Sequence, residues 1–165
     1  MRAFALVLIA VAACGAPSSP PPAAAPARAA TACTADPATA ATRTPKPAEQ
    51  GCVLAGQQAA LDTACAGGDA ASCYQLAVCV QLAQTGQLLT AAQLDAVRTP
   101  AATACAAGIA EACTFRAGIT LDQLERAPAR PDAATLRPTV CADLVRACHL
   151  GDETGGCQGC AHSGC

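Results

Sequence analysis

The chain has 165 residues, and thirteen of them are cysteine. Six of these fall in brackets: Cys65/Cys73 and Cys105/Cys113 lie eight residues apart, and Cys148/Cys157 nine apart. On one continuous helix, residues eight apart are separated by about 12 Å along the axis. A disulfide needs its Cα atoms within roughly 7 Å. Each pair can bond only if the chain reverses between its two members. Reversal signals sit inside every bracket: Gly67-Gly68-Asp69, Gly108 and Gly151-Asp152. The spacing therefore predicts a bridge from the end of one helix to the start of the next. The competing reading is buried free thiols packing as small apolar groups. Pairing among Cys33, Cys52, Cys79, Cys141, Cys160 and Cys165 stays open.

The opening, MRAFALVLIAVAAC, has the form of a secretory leader. Arg2 supplies the positive start, and the apolar run Ala3–Ala13 is too short to span a bilayer. Val11-Ala12-Ala13-Cys14 resembles a bacterial lipobox, in which cleavage precedes a cysteine that carries diacylglycerol. The competing reading is an ordinary leader followed by a free Cys14. Lipidation of Cys14 leaves twelve cysteines of the thirteen, and twelve can all pair. In an exported chain such a density reads as a disulfide framework. By the sorting rule of well-studied lipoproteins, Gly15 after Cys14 implies the outer membrane. Residues 15–31, GAPSSPPPAAAPARAAT, carry almost no bulky apolar side chains and are expected to be a disordered tether. The expected division is a leader over 1–13, a lipid-anchored tether over 14–50, and a helical domain over 51–165. Cys33 offers a point at which the tether could be pinned to that domain.

Composition narrows the function classes. Ten basic residues face twelve acidic ones, and Lys46 is the only lysine. No basic patch or aromatic platform is present to hold nucleic acid. The apolar content comes largely from Ala and Cys, and Ala buries little area. Disulfides, typically about 2–4 kcal/mol each, would compensate for such a core.

Helical periodicity begins near Cys52. Val53, Leu54, Ala60, Leu61 and Ala64 lead into Cys65, and Cys73, Leu76, Val80 and Ala83 form one face of the next helix. Asp69 is placed to cap that helix, and Gly86 to end it. Two capping boxes are expected, at Thr90–Gln93 and Thr120–Gln123. Breaks are expected at Thr99-Pro100 and across Pro128, Pro131 and Pro138, each followed by a further helix into Cys105 or Cys148. The pattern repeats at roughly 40 residues and shows no sustained strand alternation.

The stretch GDAASCYQLAVCVQLAQTG, Gly68 to Gly86, resembles the first helix of a Sel-one-like repeat, a relative of the tetratricopeptide repeat. Tyr74, Leu76 and Gly86 match that pattern; Ala77 stands where Gly is usual and Val80 where Tyr is usual. GIAEACTFRAGI, Gly108 to Ile119, is similar to a second copy. The resemblance covers about residues 52–160 and implies an all-α array of αα-hairpins, solenoid-like, stapled by disulfides as in the cysteine-rich exported branch of the family. It implies a scaffold that binds a protein or peptide rather than an enzyme.

No catalytic constellation is visible. None of the four serines sits in a Gly-x-Ser-x-Gly elbow or has Lys three residues on, and no cofactor motif is present. Two alternatives rest on the tail, CHLGDETGGCQGCAHSGC. Cys157, Cys160, His162 and Cys165 have the residue types of a zinc site, and Cys157-Gln-Gly-Cys160 has the form of a redox pair. A weak hydrolase is the remaining enzyme alternative. The partners expected are the membrane, through Cys14, and an unidentified protein.

Overall fold

The computed structural model describes residues 33–46, 52 and 55–165. The leader, Cys14 and the tether up to residue 32 lie outside the described residues, as do Val53 and Leu54. Among the described residues all regular structure is helical. A short helix α1, Pro37–Ala40, is followed by α2 (Ala55–Ala66), α3 (Ala70–Ala83), α4 (Ala91–Ala106), α5 (Ala110–Arg126) and α6 (Ala133–His149). A π-helical turn over Glu153–Cys157 then leads into α7, Gln158–His162. Each helix from α2 to α6 packs on the next in sequence, and the π turn folds back on α6.

Three turns share one construction. At the end of α2, Gly68 N–H donates to Cys65 O at 2.9 Å and Asp69 N–H to Ala64 O at 3.1 Å. At the end of α4, Gly108 donates to Cys105 O at 3.1 Å and Ile109 to Ala104 O at 3.1 Å. At the end of α6, Gly151 donates to Cys148 O at 2.9 Å and Asp152 to Ala147 O at 3.0 Å. This is the Schellman closure, which satisfies carbonyls that a helix end leaves free. It needs a left-handed residue, and Gly68, Gly108 and Gly151 have φ of 92°, 94° and 85°. In every turn the first cysteine stands three residues before that glycine. The reversal brings the bracket partners together: Cys65–Cys73, Cys105–Cys113 and Cys148–Cys157 are bonded, with Cα separations of 4.6, 4.8 and 4.4 Å.

The break expected around Pro128 and Pro131 is present between Arg126 and Ala133, but those expected at Pro100 and Pro138 are absent. Helix α4 runs through Pro100. A proline inside a helix removes one hydrogen bond and costs about 3 kcal/mol. Here Leu94 and Val97 before it and Ala101, Ala104 and Cys105 after it lie on one buried face, and their packing holds the helix continuous. Helix α6 runs through Pro138 in the same way, with Leu136, Val140 and Leu144 buried.

The first capping box forms: Thr90 accepts from Gln93 N–H, and the Gln93 side chain returns to Thr90 N–H. The second does not. Thr120 lies inside α5, and its hydroxyl donates to Arg116 O at 2.7 Å. Gln123 is 1% exposed and reaches across to the loop before α4. Its carbonyl accepts from Leu89 N–H at 2.7 Å, and its amide donates to Gln87 O at 3.2 Å. A side chain that reads locally as a cap is a tertiary clamp.

Residues 33–46, within the segment expected to be tether, dock on the helical domain instead. Cys33 is bonded to Cys160 across 127 residues. Asp36 caps α1 by accepting from Ala38 N–H. Thr44 N–H donates to Gly108 O at 3.0 Å, and its hydroxyl to Ala107 O at 2.8 Å. Arg43 pairs with Glu111 and lies 3.5 Å from Gly151 O. This strap crosses the second and third glycine turns. Cys52, just beyond it, is bonded to Cys79 on α3.

The Gln123 clamp can be tested directly. Gln123→Ala leaves Leu89 N–H buried without an acceptor, a loss of about 1–3 kcal/mol. Guanidinium unfolding should show the midpoint falling with the slope unchanged.

Candidate functional site

Alanine and cysteine share the core with larger aliphatic side chains. Ala77, Ala101, Ala104, Ala112, Ala117 and Ala147 are fully buried. Tyr74 meets Phe115 edge to face, with ring centroids 6.0 Å apart. Between α5 and α6, Asp143 is 2% exposed and Arg116 Nε donates to it at 2.7 Å, the second guanidinium nitrogen pairing alongside. Beside this pair Arg98 donates to Thr139 at 2.9 Å. Burial, then the neighbouring Arg116 charge, pushes the Arg98 guanidinium below its ordinary pKa. These polar groups hold neighbouring helices in register and face one another rather than an opening.

Cys157 is bonded to Cys148, Cys160 to Cys33, and Cys165 to Cys141. The Cys157-x-x-Cys160 sulfurs have different partners on different elements, so they form no redox couple with each other. With all three sulfurs in disulfides, no thiolate is left to bind zinc. His162 Nδ1 lies 2.9 Å from Gln158 O, one turn back on its own short helix. No group of three His, Cys, Asp or Glu among the described residues could hold a metal ion. Ser72 is also committed: its hydroxyl donates to Asp69, whose carboxyl it holds below the ordinary carboxylate pKa. Asp69 thereby stays an ionised cap on α3, where charge at the helix start is favourable.

One open concavity is large. It lies between α2, α3 and α4 and has a volume of about 910 Å³. Leu76 and Val80 of α3 and Pro100 of α4 form its apolar floor, with Gln58 and Asp62 of α2 and Thr103 of α4 at the walls. Gly68 of the first turn also borders it. The groove exists because α2 and α4 both pack on α3 and leave a channel between them. Pro100 contributes its ring here as apolar surface. Sequence reading singled out none of these residues as a site. Their only signal was the small or polar residue types on the outer face of α2, and any surface helix shows those.

No family model, curated protein or solved structure matches this chain. The reading of the groove therefore stands on its geometry.

The disulfide assignment predicts a simple chemical result. In the native protein, denatured without reduction, none of the cysteines from Cys33 to Cys165 should be alkylated. Non-reducing peptide mapping should return Cys33–Cys160, Cys52–Cys79 and Cys141–Cys165 beside the three brackets.

Proposed function

We propose that this protein is an exported, lipid-anchored scaffold of the bacterial envelope, built as an array of helical hairpins and binding a protein or peptide segment without performing chemistry on it. The observation that carries the reading is the open groove of α2, α3 and α4, set on a frame that disulfides hold rigid. A groove with an apolar floor and amide, hydroxyl and carboxylate walls suits an extended or helical polypeptide, whose backbone needs polar partners and whose side chains need apolar ones. Rigidity favours binding because less freedom is lost on association. Six disulfides belong to an oxidising compartment outside the cytosol. Within the described residues no helix is long and apolar enough to cross a membrane, and a dual-acyl anchor at Cys14 is what the reading supplies for attachment. A binding scaffold of this kind needs no cofactor.

Two outcomes are expected. Cys14→Ala should move the protein out of the membrane fraction; retention at wild-type level would remove the anchor from the proposal. A photo-crosslinking residue at Gln58, on the groove wall, should give a discrete adduct in intact cells. The same residue at Glu125, on the exposed side of α5, should not. Equal labelling at both positions would remove the groove from the proposal.

A further inference from the structure

The three glycine turns are alike in construction and unlike in what covers them. At the third, Ala40 of the strap lies over Gly151, where an added Cβ would meet the Ala40 methyl at 3.5 Å. At the second, the strap is closer: a Cβ on Gly108 would lie 3.1 Å from Thr42 O and 3.3 Å from Thr44 Oγ. At the first, a Cβ on Gly68 would meet no described atom within 4 Å. The strap also satisfies carbonyls at the turns it covers, Ala107 O and Gly108 O through Thr44 and Gly151 O through Arg43. Gly67 O and Gly68 O occupy the places of Ala107 O and Gly108 O at the first turn. Among the described residues no donor reaches them.

We propose that the first turn and the groove beside it form a binding site for an extended, cationic, hydroxyl-bearing peptide segment of a partner protein, docked as the strap docks on the second turn. The inference rests on the groove being a docking surface and specifies what it takes. Continuity with the strap interface gives the conformation: an extended chain whose N–H meets Gly68 O and whose Thr or Ser hydroxyl meets Gly67 O. Charge gives the side chain. Among the described residues that line the groove, Asp62, exposed on α2, is the only charged one. The C-terminal end of α2 carries the negative end of a helix dipole, and its last turn holds no basic residue. At the second turn the strap's cation, Arg43, pairs with Glu111 at the start of the following helix. At the first turn the carboxylate bordering the groove is Asp62, on the preceding helix, and a partner Arg or Lys would be set against it.

The strap's own sequence is the probe. A fluorescent peptide of residues 34–46, TADPATAATRTPK, is titrated onto the full oxidised protein. Binding should be saturable and should weaken with added salt. Asp62→Lys, or replacement by Ala of the probe's Arg at position 43, should weaken it roughly two- to fivefold, the span of one exposed ion pair. Thr103→Arg, which narrows the groove from the α4 side, should weaken it as well, and Glu125→Lys should leave it unchanged. Absence of saturable binding, or equal binding to the Asp62→Lys protein, would overturn the inference. So would nuclear Overhauser contacts placing residues 47–51 of the same chain against Gly68. Failure here with a groove-specific adduct at Gln58 retained would leave the scaffold reading standing and remove only this ligand chemistry. Probe binding with no Gln58 adduct in cells would do the reverse.

Discussion

The structure depends on a turn that combines a backbone closure with a covalent one. A helix end leaves carbonyls unsatisfied, and a left-handed glycine lets the next two N–H groups fold back onto them. That geometry brings the start of the following helix under the end of the preceding one. A cysteine three residues before the glycine then lies within bonding distance of a cysteine on the next helix. The hydrogen bonds set the angle and the disulfide fixes it. This matters because the core cannot fix it alone: buried alanines remove too little apolar surface from water to specify how two helices cross. In larger-residue proteins ridges and grooves of bulky side chains do that work. Here the bridges take it over, and bulky residues such as Leu94, Ile109, Leu144 and Leu150 fill what is left between alanine-rich faces.

The same logic accounts for the bridges outside the brackets. Cys52–Cys79, Cys33–Cys160 and Cys141–Cys165 span 27, 127 and 24 residues. The first holds the approach to α2 against α3, and the other two lock the last short helix between the strap and α6. Loop-closure entropy favours the long link most, since the unfolded chain loses more freedom when distant residues are joined.

The turns were legible in the sequence because every signal they use is local: a glycine at a fixed offset from a cysteine, with the partner cysteine five or six residues further on. The features that escaped are those in which a local signal is overruled from a distance. Thr90-x-x-Gln93 and Thr120-x-x-Gln123 look alike in isolation. What separates them is a buried Leu89 N–H that needs an acceptor, and Gln123 is the side chain within reach. Pro100 and Pro138 read as breaks for the same reason; the packing that keeps their helices continuous comes from neighbours far along the chain. The strap looked like linker because Thr, Ala and Pro dominate it, yet its hydrogen bonds run to helix-end carbonyls rather than to a hydrophobic face. The groove was invisible for a related cause: it is a space between three helices, and no residue type announces a space.

The strap has a mechanical consequence. It is joined at one end to the last short helix through Cys33–Cys160, and its continuation is joined to the first hairpin through Cys52–Cys79. It is therefore a bowstring across the helical stack. Stacked helical arrays whose ends are free can open and tighten like a spring. Here the string is also hydrogen-bonded to the second and third turns between its two anchors, so splaying those helices apart has to break these contacts as well. Traction on the chain ahead of Cys33 would also enter through Cys160, at the far end of the fold from α2, and the groove would bear little of that load.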